Sequence, residues 1–320
     1  MALPNWMPQY FSQDFETPQM FDLPYLMHAT DRSYDVPVGN NKGSWADPEG
    51  SVTTQTYTER TDLTDTQGNL EVYVLEIDQK DAFNITLDDL ERTQQAPGIM
   101  ADYTVQGVRE MMWEINKNNR EVFETGARLK ASGLTEPIRG NPNGLTGNVH
   151  NVALGTSGGS GTTIDSKDGR AAIVRAMDKQ ARAFALRQAW VAPKASTNGV
   201  CIVPIEVAAE LREYLWHDAP NLGAGSTVES AFGYGEILRV QGWEIVEDTT
   251  LPEIDLTQAG TIKLNFLHPQ GKSLYYGRQL SRLRSEMVQK QFTNRLMGLY
   301  LHGATQGAAR NIQQITLTLS

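Results

Sequence analysis

The chain has 320 residues, 40% of them hydrophobic and 21% charged, with a formal net charge of −10; this is a globular composition, long enough for one large domain or two ordinary ones, and it excludes disorder and a coiled coil. Its single cysteine, Cys201, excludes an intrachain disulfide, and its longest strongly apolar stretch, Gly199–Ile205, is far short of the ~18 residues of a membrane-spanning helix. The first basic residue is Arg32, so the N-terminus lacks the flank of a secretory signal, and the protein is expected to stay in the cell that makes it or to leave by lysis.

Residues 1–44 contain five prolines and scattered aromatics (Trp6, Tyr10, Phe11, Phe15, Phe21, Tyr25) with no sustained period. They read as an extended arm, and so many exposed aromatics predict that the arm lies on another surface. From Trp45 to Ile77 the pattern is strand-like, with Ser51–Glu59 and Leu70–Ile77 flanking turn chemistry at Asp65–Asn69. The expectation is a two-stranded ribbon with an acidic tip. With few apolar residues of its own, it should also be held by a neighbour. Phe83–Arg92 reads as a strand running into a short helix, with Thr86 and Asp89 spaced as a capping box and Asp88–Asp89 at the helix start.

Residues 101–128 carry the strongest helical signal: Val105, Val108, Met112, Ile115, Val122 and Gly126 recur at steps of three and four, with Asn119 in register. Such a helix is about 40 Å long, a structural spine. A glycine-rich region from Gly133 to Gly169 surrounds a short strand at Val149–Leu154. A second helix is expected at Asp168–Trp190, with Ile173, Val174, Met177, Ala181, Phe184 and Ala185 on one side and the basic stripe Arg175, Lys179 and Arg182 on a solvated or subunit-facing side. Asn198–Gly199 leads into a buried strand, Val200–Val203, and Pro204 opens a third helix through Trp216. Strands follow at Ile237–Val240, Trp243–Val246 and Ile262–Leu267, the last standing alone, and the tail alternates at Ile312, Ile315, Leu317 and Leu319. The sum is a mixed α+β protein.

Charge is divided along the chain. Residues 1–99 hold 5 basic and 17 acidic side chains, against 23 and 21 in residues 100–320. The last 50 residues hold seven basic side chains and one acid, Glu286. Opposite fields at the two ends suit head-to-tail pairing of copies, whereas a nucleic-acid reader should be more basic.

Catalytic signatures are weak. Gly155–Gly159 matches G-x-S-x-G around Ser157, but an elbow needs a helix directly after the serine, and here the flexible Gly159–Thr163 follows. No phosphate-binding P-loop or G-x-G-x-x-G after a strand occurs. The five histidines are far apart and lack metal partners at helical spacing, and Asp62–Glu71 lacks the ligand alternation of a calcium loop. No enzyme, cofactor or metal site is expected.

Taken in order, the aromatic arm, the acidic ribbon, the 101–128 helix, Gly140–Asn–Pro–Asn–Gly144, the helix ending at Trp190, Asn198–Pro204 with its helix, Gly235–Val246, Leu267–His–Pro269, Arg282–Glu286 and Leu299–Ala304 resemble the major capsid proteins of tailed bacteriophages, the Hong Kong 97-type fold. The resemblance implies an N-terminal arm (1–44), an extended loop (45–80), a peripheral domain (81–164 with the spine helix 101–128, completed by 304–320) and an axial domain (165–303). It implies a structural protein forming pentamers and hexamers of an icosahedral shell around double-stranded DNA. Portal and scaffolding partners and a cement protein are implied too, with localisation in the virion and no membrane. Arm and loop would lie across neighbouring subunits through Trp6, Phe11 and Phe15 and through the acids Glu59, Asp62, Asp65 and Glu71, the latter meeting Arg282, Arg284 and Arg295. Residues 46–79 contain no lysine, so the loop-lysine crosslink of some family members is not expected. The alternatives are an encapsulin-type nanocompartment shell and, remotely, a hydrolase using Ser157.

Overall fold

The computed structural model describes residues 23–37, 41–49, 69–88, 99–125, 127–130, 135–137, 149–186, 199–214, 239–240, 243–250, 254–267, 273–287, 293–307 and 311–320. Within them three sheets and four α-helices form an α+β architecture.

A six-stranded sheet has the order β7-β14-β11-β8-β10-β9. Its strands are β7 (Val149–Leu154), β14 (Ile312–Leu319), β11 (Gly260–Leu267), β8 (Gly199–Pro204), β10 (Trp243–Asp248) and β9 (Arg239–Val240). β8 is buried at every position, as a continuous apolar run demands of a strand covered on both faces. One face carries Cys201, Val203, Leu264, Phe266, Ile315 and Leu317 under two helices, α3 (Lys167–Leu186) and α4 (Ile205–Glu213). Trp243 is its centre: the indole N–H donates to the Met177 carbonyl at 3.2 Å, and its ring meets Phe266 edge-on at 4.8 Å. Ile262–Leu267, expected to stand alone, lies mid-sheet between β14 and β8.

The second sheet has the order β1-β12-β13-β4, comprising β1 (Thr30–Asp31), β12 (Leu274–Met287), β13 (Thr293–Gln306) and β4 (Gln79–Asp88). The spine is α2 (Ile99–Thr125), whose Val108, Met111, Met112 and Ile115 pack with Tyr276 and Tyr300 of this sheet. It ends at Thr125, short of the expected 128, because Ala127–Lys130 is already strand β5. The capping box is also overturned: Thr86 and Asp88 lie in β4, opposite Arg295 and Thr293. Thr86 is β-branched, and cross-strand pairing uses that shape better than a cap does.

The third sheet contains the ribbon, β2 (Lys42–Glu49) against β3 (Asn69–Glu76), extended by β5 and β6 (Thr135–Pro137). Ser51–Glu59, expected as one ribbon strand, lies outside the described residues; the observed partner strand begins earlier, at Lys42.

Two expectations about support change. The ribbon root is held by its own chain: Tyr73 and Val74 pair with Lys130 and Leu129, and Trp45, Tyr73, Leu75 and Ile77 pack on Tyr275. The arm near the body is also folded back, since α1 (Pro24–Met27) buries Tyr25 to 1% exposure against Phe123 and β1 pairs with β12. The pairing further distributes strands across the expected spans: β7 and β14 share one sheet with strands of 165–303, while β12 and β13 share a sheet with β4, which pairs with β13.

Candidate assembly surfaces

Trp6, Phe11, Phe15, Glu59, Asp62 and Asp65 lie outside the described residues, and Glu71 is in β3 opposite Asp47. The three arginines fall on the β12–β13 hairpin. Arg282 pairs with Leu299, Arg284 with Met297, and Glu286 with Arg295; β13 in turn sets Leu299, Met297 and Arg295 against Ala82, Asn84 and Thr86 of β4. Paired positions of an antiparallel sheet share a face, so the positions of all three arginines lie on one side. Ala82, Asn84, Thr86 and Arg284 there are exposed, and Arg295, Met297 and Leu299 half-buried. The alternate positions turn to the spine, where Phe83 packs against Gly107 and Gly298.

Nearer its base the same side of the sheet carries the ribbon root. Gly277 and Gly303 make this possible: a Cβ on Gly277 would stand 2.6 Å from the Leu75 side chain, and one on Gly303 would overlap the Glu76 carbonyl oxygen. Arg32 caps the contact, its guanidinium 5.5 Å from the Trp45 ring and 5.1 Å from that of Tyr275 and bonded to Asp35 at 3.0 Å. Lys42 pairs with Glu76 along the ribbon. Beyond the last pair, Glu49 with Asn69, the intervening residues 50–68 hold the acids at Glu59, Asp62 and Asp65.

A buried polar joint ties the spine to the six-stranded sheet. Asp248 accepts from Thr250 N (2.9 Å), Thr250 Oγ1 (2.6 Å) and Asn116 Nδ2 (3.4 Å), with Arg120 3.9 Å away. Asn116 Oδ1 accepts the Tyr25 N–H at 3.0 Å. Two turns beyond Asn116, Glu124 accepts from Lys263 and Asn265, both at 3.1 Å, and Asn265 donates to the Tyr25 hydroxyl at 2.6 Å. Sequence reasoning missed this joint. Its one signal is polar residues, Asn116 and Asn119, on the helix side that is otherwise buried.

His302 is 1% exposed, between Tyr276 and Tyr300, with Nε2 2.6 Å from Asp81 Oδ2. Its Nδ1 has no hydrogen-bond partner among the described residues. Burial holds its pKa below the ordinary value against the opposing pull of Asp81 and Asp78. The folded state therefore favours neutral imidazole, and the stability this contributes is present above the ordinary value near 6.5 and falls as pH drops below it. Melting curves from pH 7.5 down to 5 are expected to show a smaller loss for His302→Gln than for wild type. Equal losses would remove His302 as the source.

Ser157 lies in a hydrogen-bonded loop with no helix directly after it. Its hydroxyl donates to Asp165 Oδ2 at 2.8 Å, the Gly158 N–H to the same oxygen at 3.0 Å, and α3 begins ten residues later. Hydrogen bonds from Thr163 and Ser157 lower the Asp165 pKa, so it is a stable acceptor that orders the loop. No cluster of three metal-ligating side chains occurs among the described residues, and Cys201 is buried with its thiol pKa pushed up by desolvation.

No family model and no curated protein sequence matches the chain. Solved structures do. The capsid of cyanophage P-SCSP1u aligns at TM-score 0.62 and 13% identity, over 92% of this chain and 86% of that one. The mature capsid of bacteriophage PhiM1 aligns at 0.61 and 13%, over 95% and 89%. A chain from Mycobacterium phage Che8 aligns at 0.56 and 17%, over 99% and 94%. The chain thus has the Hong Kong 97-type fold of tailed-phage capsid proteins along nearly its whole length.

Proposed function

We propose that this chain is the major capsid protein of a tailed bacteriophage, assembling as pentamers and hexamers into an icosahedral shell around double-stranded DNA. The observation that carries this reading is the likeness to capsid chains over 92% and 95% of this sequence. The chain divides functionally into an arm, an extended loop, a peripheral unit built on the spine and the β12–β13 sheet, and an axial unit built on the six-stranded sheet. It acts in the virion after assembling in the host cytoplasm, with portal and scaffolding proteins and a cement protein as partners. Contact with the genome is weak and sequence-independent, because a subunit of net charge −10 cannot neutralise phosphates densely.

Copies are joined by charge and by aromatic burial. Glu59, Asp62, Asp65 and Glu71 of one loop meet the open face bearing Arg282, Arg284 and Arg295 on the next subunit, and Trp6, Phe11 and Phe15 of the arm lie on a neighbour. Many modest symmetric contacts then add up to a stable shell. With no lysine between 46 and 79, the loop contact is non-covalent. Reversing Asp62 and Asp65 together to Lys is expected to lower shell yield by about tenfold at low salt and less at high salt, since exposed pairs are screened over a Debye length of about 8 Å at physiological ionic strength. Negative-stain microscopy across ionic strengths reads the result, and unchanged yields would refute the pairing. Absence of any shell from the wild-type protein under all conditions would refute the capsid reading itself.

A further inference from the structure

The segment Thr30–Pro37 leads from the arm root to the ribbon, and it is held on two sides. On one side it is fastened to β12: Thr30 and Asp31 pair with Tyr275 and Tyr276, the Arg32 N–H donates to the Tyr276 carbonyl at 2.7 Å, and the Arg278 N–H donates to Ser33 Oγ at 3.0 Å. Asp31 sets that hydroxyl in place, accepting both its O–H and the Ser33 N–H, the latter at 2.8 Å. An aspartate that bonds the backbone two residues on fixes a turn locally. The result is a single 3-10 turn, Ser33–Asp35, closed by the Arg32–Asp35 ion pair at 3.0 Å.

On the other side the same turn supports the ribbon. The Arg32 guanidinium lies over the Trp45 ring, and Val36 is buried in the cluster that holds Trp45, Tyr73 and Leu75. At Gly43 of β2 the fit is backbone on backbone: a Cβ there would stand 2.6 Å from the Asp35 carbonyl oxygen and 2.7 Å from the Val36 side chain. A 3-10 turn of three residues is only about 6 Å long. It is too short to move against β12 without also moving against β2. Close-packed contacts of this kind shift between discrete arrangements and do not stretch continuously.

We infer that residues 30–37 form a latch that couples the arm root to the ribbon: docking of the turn on β12 steadies the ribbon, and seating of the ribbon steadies the turn. The coupling is reciprocal, as any linkage between two binding equilibria must be. Its consequence for assembly rests on the capsid reading, in which arm and loop are the two parts a subunit extends to its neighbours. A neighbour that captures the arm then biases where the loop of that same subunit points, and capture of the loop steadies the arm by the same factor.

The test is amide hydrogen exchange in full-length subunits kept unassembled by dilution, so its outcome is separate from whether shells form. Asp31→Ala with Ser33→Ala loosens the turn from the β12 side while leaving Arg32, Val36 and Gly43 in place, and exchange in β2 and β3 is expected to rise about fivefold. Gly43→Ala pushes from the ribbon side, and exchange in residues 30–36 is expected to rise by a similar factor. The six-stranded sheet should exchange as in wild type in both variants. Tyr34→Ala is the control within the same turn: its ring is 96% exposed, so its removal should leave both regions unchanged. If the double variant also opens the six-stranded sheet, Asp31→Asn makes the same comparison with the fold kept. Faster exchange confined to the substituted side in either variant, or an equal rise in Tyr34→Ala, would overturn the latch.

Discussion

Gly303→Val is expected to abolish shell formation and to destabilise the subunit by about 3 kcal/mol or more, the upper end of what overpacking costs when backbone must move. Valine suits a β-strand better than glycine, so secondary-structure propensity argues for the opposite outcome. The loss arises from position. A Cβ at 303 would overlap the backbone carbonyl of Glu76, and a carbonyl in a strand cannot turn aside as a side chain can. The ribbon root would lift from the sheet, uncovering Trp45, Tyr73 and Leu75 and swinging the loop beyond it away from a neighbouring subunit. Gly260→Val supplies the control: it is at the start of β11 with open space around it and should change stability by less than about 0.5 kcal/mol. Urea unfolding and electron microscopy of both variants read the result. If Gly303→Val unfolds within about 1 kcal/mol of the control and still builds shells, the glycine seat does not set the ribbon.

What the sequence made legible follows from how local each signal is. β8 was plain because Gly199–Pro204 is apolar without interruption, and the spine because its stripe persists for several turns. The tail strand showed through the alternation of Ile315, Leu317 and Leu319, whose side chains all join the core beneath α3 and α4. The longest strands were not seen. β12 and β13 form fourteen-residue arms of one hairpin, yet a register shift between Arg278 and Leu280 breaks the period of two in the middle of β12. Tyr276 and Leu283 thus fall on the same side of the sheet despite an odd spacing, and no alternation template fits across such a bulge. The basic positions 282, 284 and 295 belong to one sheet face, which charge along the chain does not reveal. The alternation of Tyr73, Leu75 and Ile77 announced a one-sided apolar strand, but its cover, Tyr275, is two hundred residues away in the chain and carries no local mark of that role.

The candidate surface divides in the same manner. Arg282, Arg284 and Arg295 were chosen for charge alone, and pairing of β12 with β13 sets them on one face. The polar joint had no such cue, because Asn116, Arg120 and Glu124 look like ordinary helix residues until Asp248, Lys263 and Asn265 arrive from strands more than a hundred positions later. This joint fastens the spine to the six-stranded sheet. Three donors converging on one buried Asp248 oxygen restrict the register, whereas the apolar contacts beside it, Tyr25 on Phe123, tolerate sliding.

Asp248→Ala is therefore expected to cost about 3–5 kcal/mol, the range for removing one partner of a buried ion pair. The carboxylate is fully buried and Arg120 keeps only 11% of its side-chain exposure, so the guanidinium cannot recover water in place of the acid. Thr250 loses the acceptor of both its N–H and its hydroxyl, and Asn116 loses an acceptor while still tied to Tyr25. Asp248→Asn retains the shape and one acceptor oxygen and should cost less, about 1–3 kcal/mol. Adding Arg120→Met to Asp248→Ala removes the stranded charge and should return part of the loss, giving a coupling of at least ~1 kcal/mol in the cycle. The structural consequence is separable from the energetic one. Subunits of the double variant that fold are expected to assemble into particles of mixed diameter, because the spine is no longer keyed to one angle. Chemical unfolding gives the energies and microscopy the diameters; strictly additive single substitutions with uniform shells would show that packing alone, without Asp248, holds the two parts together.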